Sequence, residues 1–438
     1  MSNHCIARPL DPAEAFFFMA DRVSCMNFVL FAERSGHLDP KRIRASLAVI
    51  QAENPLLRAR ISWTADRGLC FEPAPGAPID LECREVDAND WQLWIEHELA
   101  QPFAQEAAPL IRCRYLEMSS PKRSVLALVF HHAVADGRSG SELLRRLLDC
   151  VASQTTLRAN AGAPSLPPMH EVFPQRFRWA DQPDAAKRVK DGLIADYRRH
   201  GTLTLLPWLS NNAPTRTPRF VRVVLPPDVT QRLLTRARQH ESSVHGAICA
   251  AQLLTQFRLQ MGNDPATLFL SCPVDMRPLL DPVQPSAPTA LCVSLISAAF
   301  ALDADTDFWV LAREVVAQTR RQLDRGEGHL FFSLYGLDGT PVAPDRMERF
   351  AKSILATWKN TMVSNVGRVA AIDGDPAVDA ISFALCPMPY QTLFNAVSTY
   401  KDKLLLNVGY DAGRLSEEIA MELAAGMRDA LQEAAVAA

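Results

Sequence analysis

One short stretch of the chain, residues 131–137 with the sequence HHAVADG, combines residue types that can do chemistry. It holds two adjacent histidines, an aspartate four residues after the second histidine, and a glycine. The pKa of a histidine lies near neutrality, so His132 or His131 can accept a proton from an alcohol or an amine. Asp136 can pair with a cation and fix the loop, and Gly137 can adopt the positive φ of a sharp turn.

Each of these residues also has an ordinary structural interpretation. A histidine beside a core strand is usually a satisfied structural residue, and an Asp-Gly pair is usually a turn. The HHxxxD spacing offers metal ligands too, but a third and a fourth ligand at regular spacing are missing, and no two cysteines lie at CxxC spacing. We therefore expect no metal site, and the ordered combination of these residues favours catalysis.

The elements around this stretch predict that it follows a buried strand. Residues 124–130 form a continuous apolar run, SVLALVF, which is typical of a strand covered on both faces. Residues 141–151 carry leucines at helical spacing and predict a helix directly afterwards. A histidine at the end of such a strand lies at the edge of the sheet, where a substrate can reach it. The neighbouring segment 111–116 alternates, so we expect Arg112 and Arg114 to face solvent.

The rest of the chain predicts an α/β (α+β) protein with two lobes. Residues 1–160 form the N-terminal lobe, the proline-rich segment 161–218 is the crossing linker, and residues 219–438 form the C-terminal lobe. Strands are expected at 27–31, 111–116, 124–130, 220–225, 267–271, 291–298, 380–386, 393–398 and 404–408, and helices at 40–53, 91–99, 141–151, 185–199, 229–240, 244–261 and from 416 onwards. Neither GxGxxG nor GxxxxGK[ST] occurs, so nothing favours a nucleotide fold.

The composition is that of an ordinary globular protein. The 438 residues are 48% hydrophobic and carry a net charge of −3, which excludes nucleic-acid binding by phosphate neutralisation alone. The longest apolar run, residues 290–302, is shorter than the roughly 20 residues that a membrane-spanning helix needs. The N-terminus lacks a signal-peptide layout, and the ten cysteines lie mostly in apolar runs. We expect a reduced, cytoplasmic monomer without a membrane span.

The HHAVADG stretch resembles the HHxxxDG signature of the chloramphenicol acetyltransferase-like superfamily. That superfamily contains the condensation domains of nonribosomal peptide synthetases and the polyketide-associated, alcohol and plant acyltransferases. Further segments resemble those of the family in the expected order: RPLDP (8–12), NPLLR with Asn in place of the usual His (54–58), PLIR (109–112), CPVDMRP (272–278), SNVG (364–367), and YD (410–411) followed by RLS (414–416). The likeness covers essentially the whole chain, although only the first motif is specific by itself. The DFGWG segment of the plant enzymes is absent, which favours the bacterial branches.

The resemblance implies two lobes, each a mixed sheet with flanking helices, and an active site in the channel between them. His132 would be the catalytic base, and His131 would pack inward. Asp136 would form a salt bridge to an arginine rather than act as a base. Arg58 and Arg277 are both placed for that role, and members of the family differ in which one they use.

The remaining residues implied by the resemblance line the channel. Gly137 would border the tunnel of the acyl donor, and Ser364 or Asn365 would donate to the oxyanion or line the channel. The implied reaction is acyl transfer from a thioester, on coenzyme A or on the phosphopantetheine of a carrier protein, to a hydroxyl or amine in secondary metabolism. We expect a free-standing enzyme. The alternatives are a non-catalytic domain that binds a carrier protein or pathway partner, and epimerising or cyclising chemistry by the same histidine.

Other side chains have weaker functional interpretations. Two basic clusters could meet the phosphates of a donor, but a solvated face is the expected role of Lys187, Arg188, Lys190, Arg198 and Arg199 and of Arg216, Arg219 and Arg222. Several large apolar side chains could line the tunnel, but ordinary core packing is the expected role of Phe16, Phe17, Phe18, Met362, Met388 and Tyr390.

Overall fold

The computed structural model of the protein describes residues 6–104, 106–153, 165–199, 216–261, 264–286, 288–357, 359–372 and 375–436. Its strands are β1 (Arg8–Pro9), β2 (Asn27–Ser35), β3 (Ala59–Thr64), β4 (Gly68–Pro73), β5 (Asp80–Glu85), β6 (Ile111–Met118), β7 (Arg123–His131), β8 (Pro218–Leu225), β9 (Ala266–Asp275), β10 (Val293–Leu302), β11 (Asn360–Arg368), β12 (Val378–Leu385), β13 (Gln391–Tyr400) and β14 (Lys403–Asp411). Its helices are α1 (Pro12–Val23), α2 (Pro40–Glu53), α3 (Trp91–Ala100), α4 (Gly137–Ala152), α5 (Pro183–Arg199), α6 (Pro227–Gln239), α7 (Val244–Met261), α8 (Phe308–Asp324), α9 (Glu327–Leu330), α10 (Pro344–Leu355) and α11 (Glu417–Val436).

The strand before the motif is the centre of a five-stranded sheet with the order β12-β2-β7-β6-β5. Successive residues of β7 enter different cores, because side chains alternate between the two faces of a strand. Leu126, Leu128 and Phe130 pack into the larger core, while Val125 and Val129 pack into a smaller one beneath α3. The prediction of a strand covered on both faces is confirmed.

The expectation that Arg112 and Arg114 face solvent is wrong. Helix α3 covers that face of the sheet, and Arg114 is buried. Its guanidinium lies 2.8 Å from carboxylate oxygens of both Asp80 and Glu98. The Nε atom of Arg112 lies 3.3 Å from Glu98 Oε2. Alternation along a strand shows which residues share a face, but it does not show whether a helix packs on the polar one.

A six-stranded mixed sheet with the order β10-β9-β11-β13-β14-β8 forms the C-terminal lobe. Helices α6, α7, α8 and α11 pack with this sheet around one core. The chain division at residue 219 needs one correction. Strand β12 follows this boundary, yet it pairs antiparallel with β2 and thereby extends the N-terminal sheet. The lobes therefore share a sheet, because the apolar strand β12 of the C-terminal part pairs with β2 of the N-terminal part.

A segment of the C-terminal lobe, residues 289–292, is hydrogen-bonded to the N-terminal lobe. Asn54 accepts from both the backbone N–H and the hydroxyl of Thr289. The hydroxyl of Ser139 donates to the carbonyl of Ala290 at 2.8 Å. Asn54 is the residue that replaces the usual histidine of the family segment, and its amide oxygen here holds the two lobes together.

The crossing linker is described between residues 165 and 199, where three 3₁₀ turns precede α5. Residues 161–164 and 200–215 of the predicted linker, and its boundary at residue 160, lie outside the described residues, while residues 216–218 lead into β8. Among the described residues, no helix is both long enough and apolar enough to cross a membrane. The nine cysteines in the described part are free thiols, and Cys83 is exposed while the others are buried.

Candidate active site

The second histidine of the motif, His132, lies on the loop between β7 and α4 and keeps part of its surface exposed to a cavity. Its ring stacks on Phe17 from α1, with centroids 4.0 Å apart and planes 15° apart. Nδ1 lies 3.1 Å from the carbonyl oxygen of Ala135. Because a carbonyl can only accept, Nδ1 carries the proton and Nε2 is left with a free lone pair. Burial lowers the pKa of His132 to about 4, so the ring is neutral at physiological pH.

The first histidine has the opposite tautomer. The backbone N–H of Ala133 donates to His131 Nδ1 at 3.1 Å. The Nε2 atom of His131 therefore carries the hydrogen, 3.7 Å from Asp21 Oδ2. His131 is fully buried, and burial lowers its pKa despite the nearby carboxylate. The two adjacent histidines thus differ in a simple way: His132 presents an acceptor to a cavity, while His131 is held in the core.

Asp136 connects the motif to the C-terminal lobe. Its Oδ2 lies 2.9 Å from Arg277 Nη2 and accepts from the backbone N–H of Cys292 at 2.7 Å. Its Oδ1 accepts from Ser139 N and so caps α4. Burial alone would raise the pKa of Asp136, but Arg277 and these N–H donors outweigh it and lower the pKa. The carboxylate therefore stays ionised and structural.

Of the two arginines considered for this pairing, the structure brings Arg277 to Asp136. Arg277 is buried and is also held by Asp275 at 3.0 Å. Arg58 ends a 3₁₀ turn after α2, and within the described chain its guanidinium forms no ion pair with Asp136. Its buried Nε has no hydrogen-bond partner among the described residues.

The expectation of a positive φ at Gly137 is wrong. This glycine is the first residue of α4 and is absent from the described glycines with positive φ. Its small size matters for another reason. A Cβ atom built on Gly137 would lie 2.6 Å from Val366 Cγ1, so the glycine permits the close approach of β11. The helix begins at residue 137, four residues before the predicted start, because Asp136 caps it.

Ser364 and Asn365 lie on β11 and both line the same cavity as His132. Asn365 Oδ1 accepts from the backbone N–H of Gly367 at 2.8 Å, which leaves the amide NH₂ as its remaining donor. Gly367 has a φ of +77°, a conformation that favours glycine, and it lies where the regular pairing of β11 with β13 is interrupted between Asn365 and Arg368. The two polar side chains are thus placed at a bulge in β11 on the cavity wall.

The cavity has a volume of about 460 Å³ and is formed by both lobes. Five of the six large apolar side chains expected mainly as core line it, namely Phe16, Phe17, Met362, Met388 and Tyr390. Phe18 is the exception, since it lies against His131 and Arg22 instead. His132, Asp136, Gly137, Arg277, Ser364 and Asn365 all belong to the wall. The structure therefore brings together every predicted site residue except His131, which is packed beneath, and Arg58.

The basic clusters are largely occupied by local contacts. Several of their members form ion pairs or backbone hydrogen bonds: Lys187 with Asp191, Arg199 with Asp196, Arg219 with Glu96, Arg222 with Glu33, and Arg216 with the carbonyl of Asp21. These contacts fit the interpretation of a solvated or structural face rather than a phosphate site.

Comparison with protein families gives one match in each half of the chain. The condensation domain family matches residues 17–192, and the family of the C-terminal part of phthiocerol/phthiodiolone dimycocerosyl transferase matches residues 214–383. The N-terminal half of the chain is thus similar to condensation domains, and the C-terminal half is similar to the C-terminal part of that transferase. The first match covers the lobe with the HHxxxDG motif, and the second covers Arg277, Ser364 and Asn365.

Individual proteins are similar to this chain over different lengths. Phthiocerol/phthiodiolone dimycocerosyl transferase of Mycobacterium leprae is 31% identical over 230 residues, which are 49% of this chain and 52% of that protein. The chain thus spans about half the length of this curated relative. Polyketide synthase associated protein 5 of Mycobacterium tuberculosis has the same fold, with a TM-score of 0.68 at 17% identity, over 100% of this chain and 99% of that one. Trichothecene 15-O-acetyltransferase of Fusarium sporotrichioides also has this fold, with a TM-score of 0.73 at 13% identity. The likeness covers 99% of this chain and 97% of that one.

Some residues of the site were not predicted. Phe28 lies beside His132 with ring centroids 4.7 Å apart, and the backbone N–H of Cys292 donates a hydrogen bond to Asp136. His245 and Cys272 also line the cavity. No spacing in the sequence indicates these contacts, because each one joins elements that are distant along the chain.

Proposed function

We propose that this chain catalyses the transfer of an acyl group from a thioester to a hydroxyl or an amine, with His132 as the general base. One observation carries the proposal: the acceptor Nε2 of a neutral His132 belongs to a cavity between the two lobes. The curated relative from Mycobacterium leprae and the trichothecene enzyme are both acyl transferases by name, which supports the reaction class. Because the chain spans about half of its curated relative, the activity itself needs a direct test.

In the proposed reaction, His132 Nε2 takes the proton of the acceptor's hydroxyl or amine as that group attacks the thioester carbon. The new bond forms at the carbonyl carbon, and the carbonyl oxygen becomes an oxyanion. The carbon–sulfur bond then breaks, and the imidazolium returns the proton to the departing thiolate. The hydrogen bond from Nδ1 to Ala135 O fixes the tautomer that this step requires. No covalent intermediate with the protein is needed.

The oxyanion requires a hydrogen-bond donor, and one such donor is typically worth about 3 kcal/mol. We propose Ser364 or Asn365 for this role, since both lie on the cavity wall and each has a donor available. Asp136 has a positioning role in this scheme. It caps α4 and anchors the loop of His132 to Arg277 and Cys292.

A second cavity of about 420 Å³ supports a reaction with two substrates. It lies between α5, α10 and the C-terminal sheet, and it shares Leu295, Met362 and Tyr390 with the first cavity. Two cavities that meet at one wall would let donor and acceptor approach from different directions, which turns a bimolecular encounter into a positioned one. We propose a thioester of coenzyme A or of a carrier protein as the donor.

The test is a product assay. The purified chain is incubated with acyl-coenzyme A or with acyl-carrier protein and a panel of alcohols and amines, and new esters or amides are detected by mass spectrometry. Replacement of His132 with Ala should reduce the rate about 10²–10⁴-fold, the usual contribution of a general base. His97→Ala is the matched control, because His97 is exposed and does not belong to the cavity. Specific binding of a carrier protein without any product would favour the non-catalytic alternative.

A further inference from the structure

The C-terminal lobe contributes two thiols and an imidazole to one compact cluster, defined here as the thiol cluster of His245, Cys249 and Cys272. Helix α7 places His245 and Cys249 one turn apart on the same face. Strand β9 supplies Cys272 against that face. The three candidate ligand atoms all lie within 4.8 Å of one another.

Two of the three distances between candidate ligand atoms are close to those of a metal site and far from that of a disulfide. His245 Nε2 lies 3.6 Å from Cys249 Sγ, and Cys249 Sγ lies 4.0 Å from Cys272 Sγ. In a tetrahedral zinc site, bonds of about 2.0–2.3 Å place neighbouring ligand atoms roughly 3.5–3.8 Å apart. A disulfide requires a sulfur–sulfur distance of about 2.05 Å, about half of that found, and would leave the imidazole without a role.

We propose that the thiol cluster is a binding site for Zn²⁺, with three protein ligands and a fourth position reachable from the cavity. Two thiolates and one imidazole suit this borderline-soft ion, and the two thiolate charges neutralise it. His245 and Cys272 line the cavity and Cys249 is buried, so an ion held by all three would lie at the cavity wall. Water or a ligand from the cavity would complete the tetrahedron.

This inference differs from the expectation of no metal site. That expectation rested on the HHxxxD spacing, which lacks a third and a fourth ligand, and on the absence of CxxC pairs. In the thiol cluster, His245 and Cys249 are four residues apart. The third ligand follows 23 residues later in the sequence. It reaches the other two because α7 packs against the strand that carries it.

The test uses the full chain, reduced and freed of metal by a chelator that is then removed. Titration with zinc in competition with a chromophoric chelator should show one equivalent bound. Cys249→Ser should weaken binding at least 100-fold, since loss of even an outer partner of a metal ligand typically costs about 10–100-fold. Cys83→Ser is the matched control, because Cys83 is an exposed thiol outside the cluster, and it should bind zinc like the parent.

Cobalt(II) keeps the proposal testable even if Cys249→Ser folds poorly, which circular dichroism would reveal. Cobalt bound to the parent chain should show thiolate-to-metal charge-transfer absorption and the strong d–d bands of a tetrahedral site. Absence of these bands would overturn the proposal. So would equal zinc affinity in the parent and a folded Cys249→Ser variant, or a Cys249–Cys272 disulfide that forms in air at the same rate with and without zinc.

Discussion

The HHxxxDG loop and the thiol cluster both contribute to the wall of one cavity, but they are assembled in different ways. The loop is contiguous, from His131 to Gly137, and each of its polar groups is fixed by a neighbour in the chain or by the 277–292 segment. The thiol cluster joins a helix to a strand. A site whose residues are consecutive can be recognised in a sequence, whereas a site made by packing emerges only when the elements are placed.

The largest expected effect on stability concerns the ion pair that holds the loop. Arg277→Met would leave the buried carboxylate of Asp136 without its cation, which should cost about 3–5 kcal/mol of unfolding free energy. Urea unfolding measures this loss. The matched control is Arg368→Met, because Arg368 and Asp402 form an exposed pair, worth at most about 1 kcal/mol. Equal losses in the two variants would show that the loop does not depend on the second lobe.

Catalysis by the loop should also depend on a polar group from β11. One of Ser364 and Asn365 is expected to donate to the oxyanion. The Ala variant at that position should have a kcat about 10²–10³-fold lower than the parent, with little change in KM. The other variant serves as the control, since it lies on the same wall. If both variants keep kcat within about twofold, the oxyanion is stabilised by other groups.

The close approach of the lobes beside the loop is tested at Gly137. Gly137→Ala would place a methyl group 2.6 Å from Val366 Cγ1, and such overpacking typically costs about 1–3 kcal/mol. The second change Val366→Ala should restore most of that stability. Gly192→Ala on α5 is the control, because the space around it is open and the change should stabilise the helix by about 0.5–1 kcal/mol. A neutral Gly137→Ala would mean that the lobes approach less closely.

The smallest expected effect is that of pH on the rate. The pKa of His132 is lowered to about 4, so the base stays neutral and the rate should be nearly constant from pH 8 to pH 6. A histidine with the ordinary pKa of about 6.5 would lose roughly fourfold over that range. Because the folded-state pKa lies below the unfolded value, protonation favours unfolding, and stability should fall as the pH drops from about 6.5 towards 4. A fourfold loss of rate between pH 8 and pH 6 would contradict the lowered pKa of His132.

Much of the fold could be predicted because its strongest patterns are local. The apolar run of β7 and the leucines of α4 indicate their elements directly, and the bounds of α2 and α7 agree with the predicted ones. Strand β12 could be predicted as a strand but not as a member of the N-terminal sheet. Pairing between strands that are distant along the chain produces no recognisable spacing of residues in the sequence. The same limit explains Arg114, which a helix from another segment covers.

The candidate site divides in the same way. His132, Asp136 and Gly137 were predicted from one motif, but the choice of Arg277 over Arg58 required the position of the second lobe. The environment of His132 depends instead on packing within the N-terminal lobe, since Phe17 and Phe28 come from α1 and β2. The residue types of a motif indicate the chemistry, while the tautomer and the pKa depend on packing.

The measurement that tests the central claim most directly is the acyl-transfer rate of His132→Ala beside that of Cys249→Ser, with zinc content determined on the same samples. The account predicts that His132→Ala loses transfer about 10²–10⁴-fold and still binds zinc. It predicts that Cys249→Ser, whose side chain does not belong to the cavity wall, loses zinc and keeps transfer. Transfer at the parent rate by a folded His132→Ala variant would contradict the account.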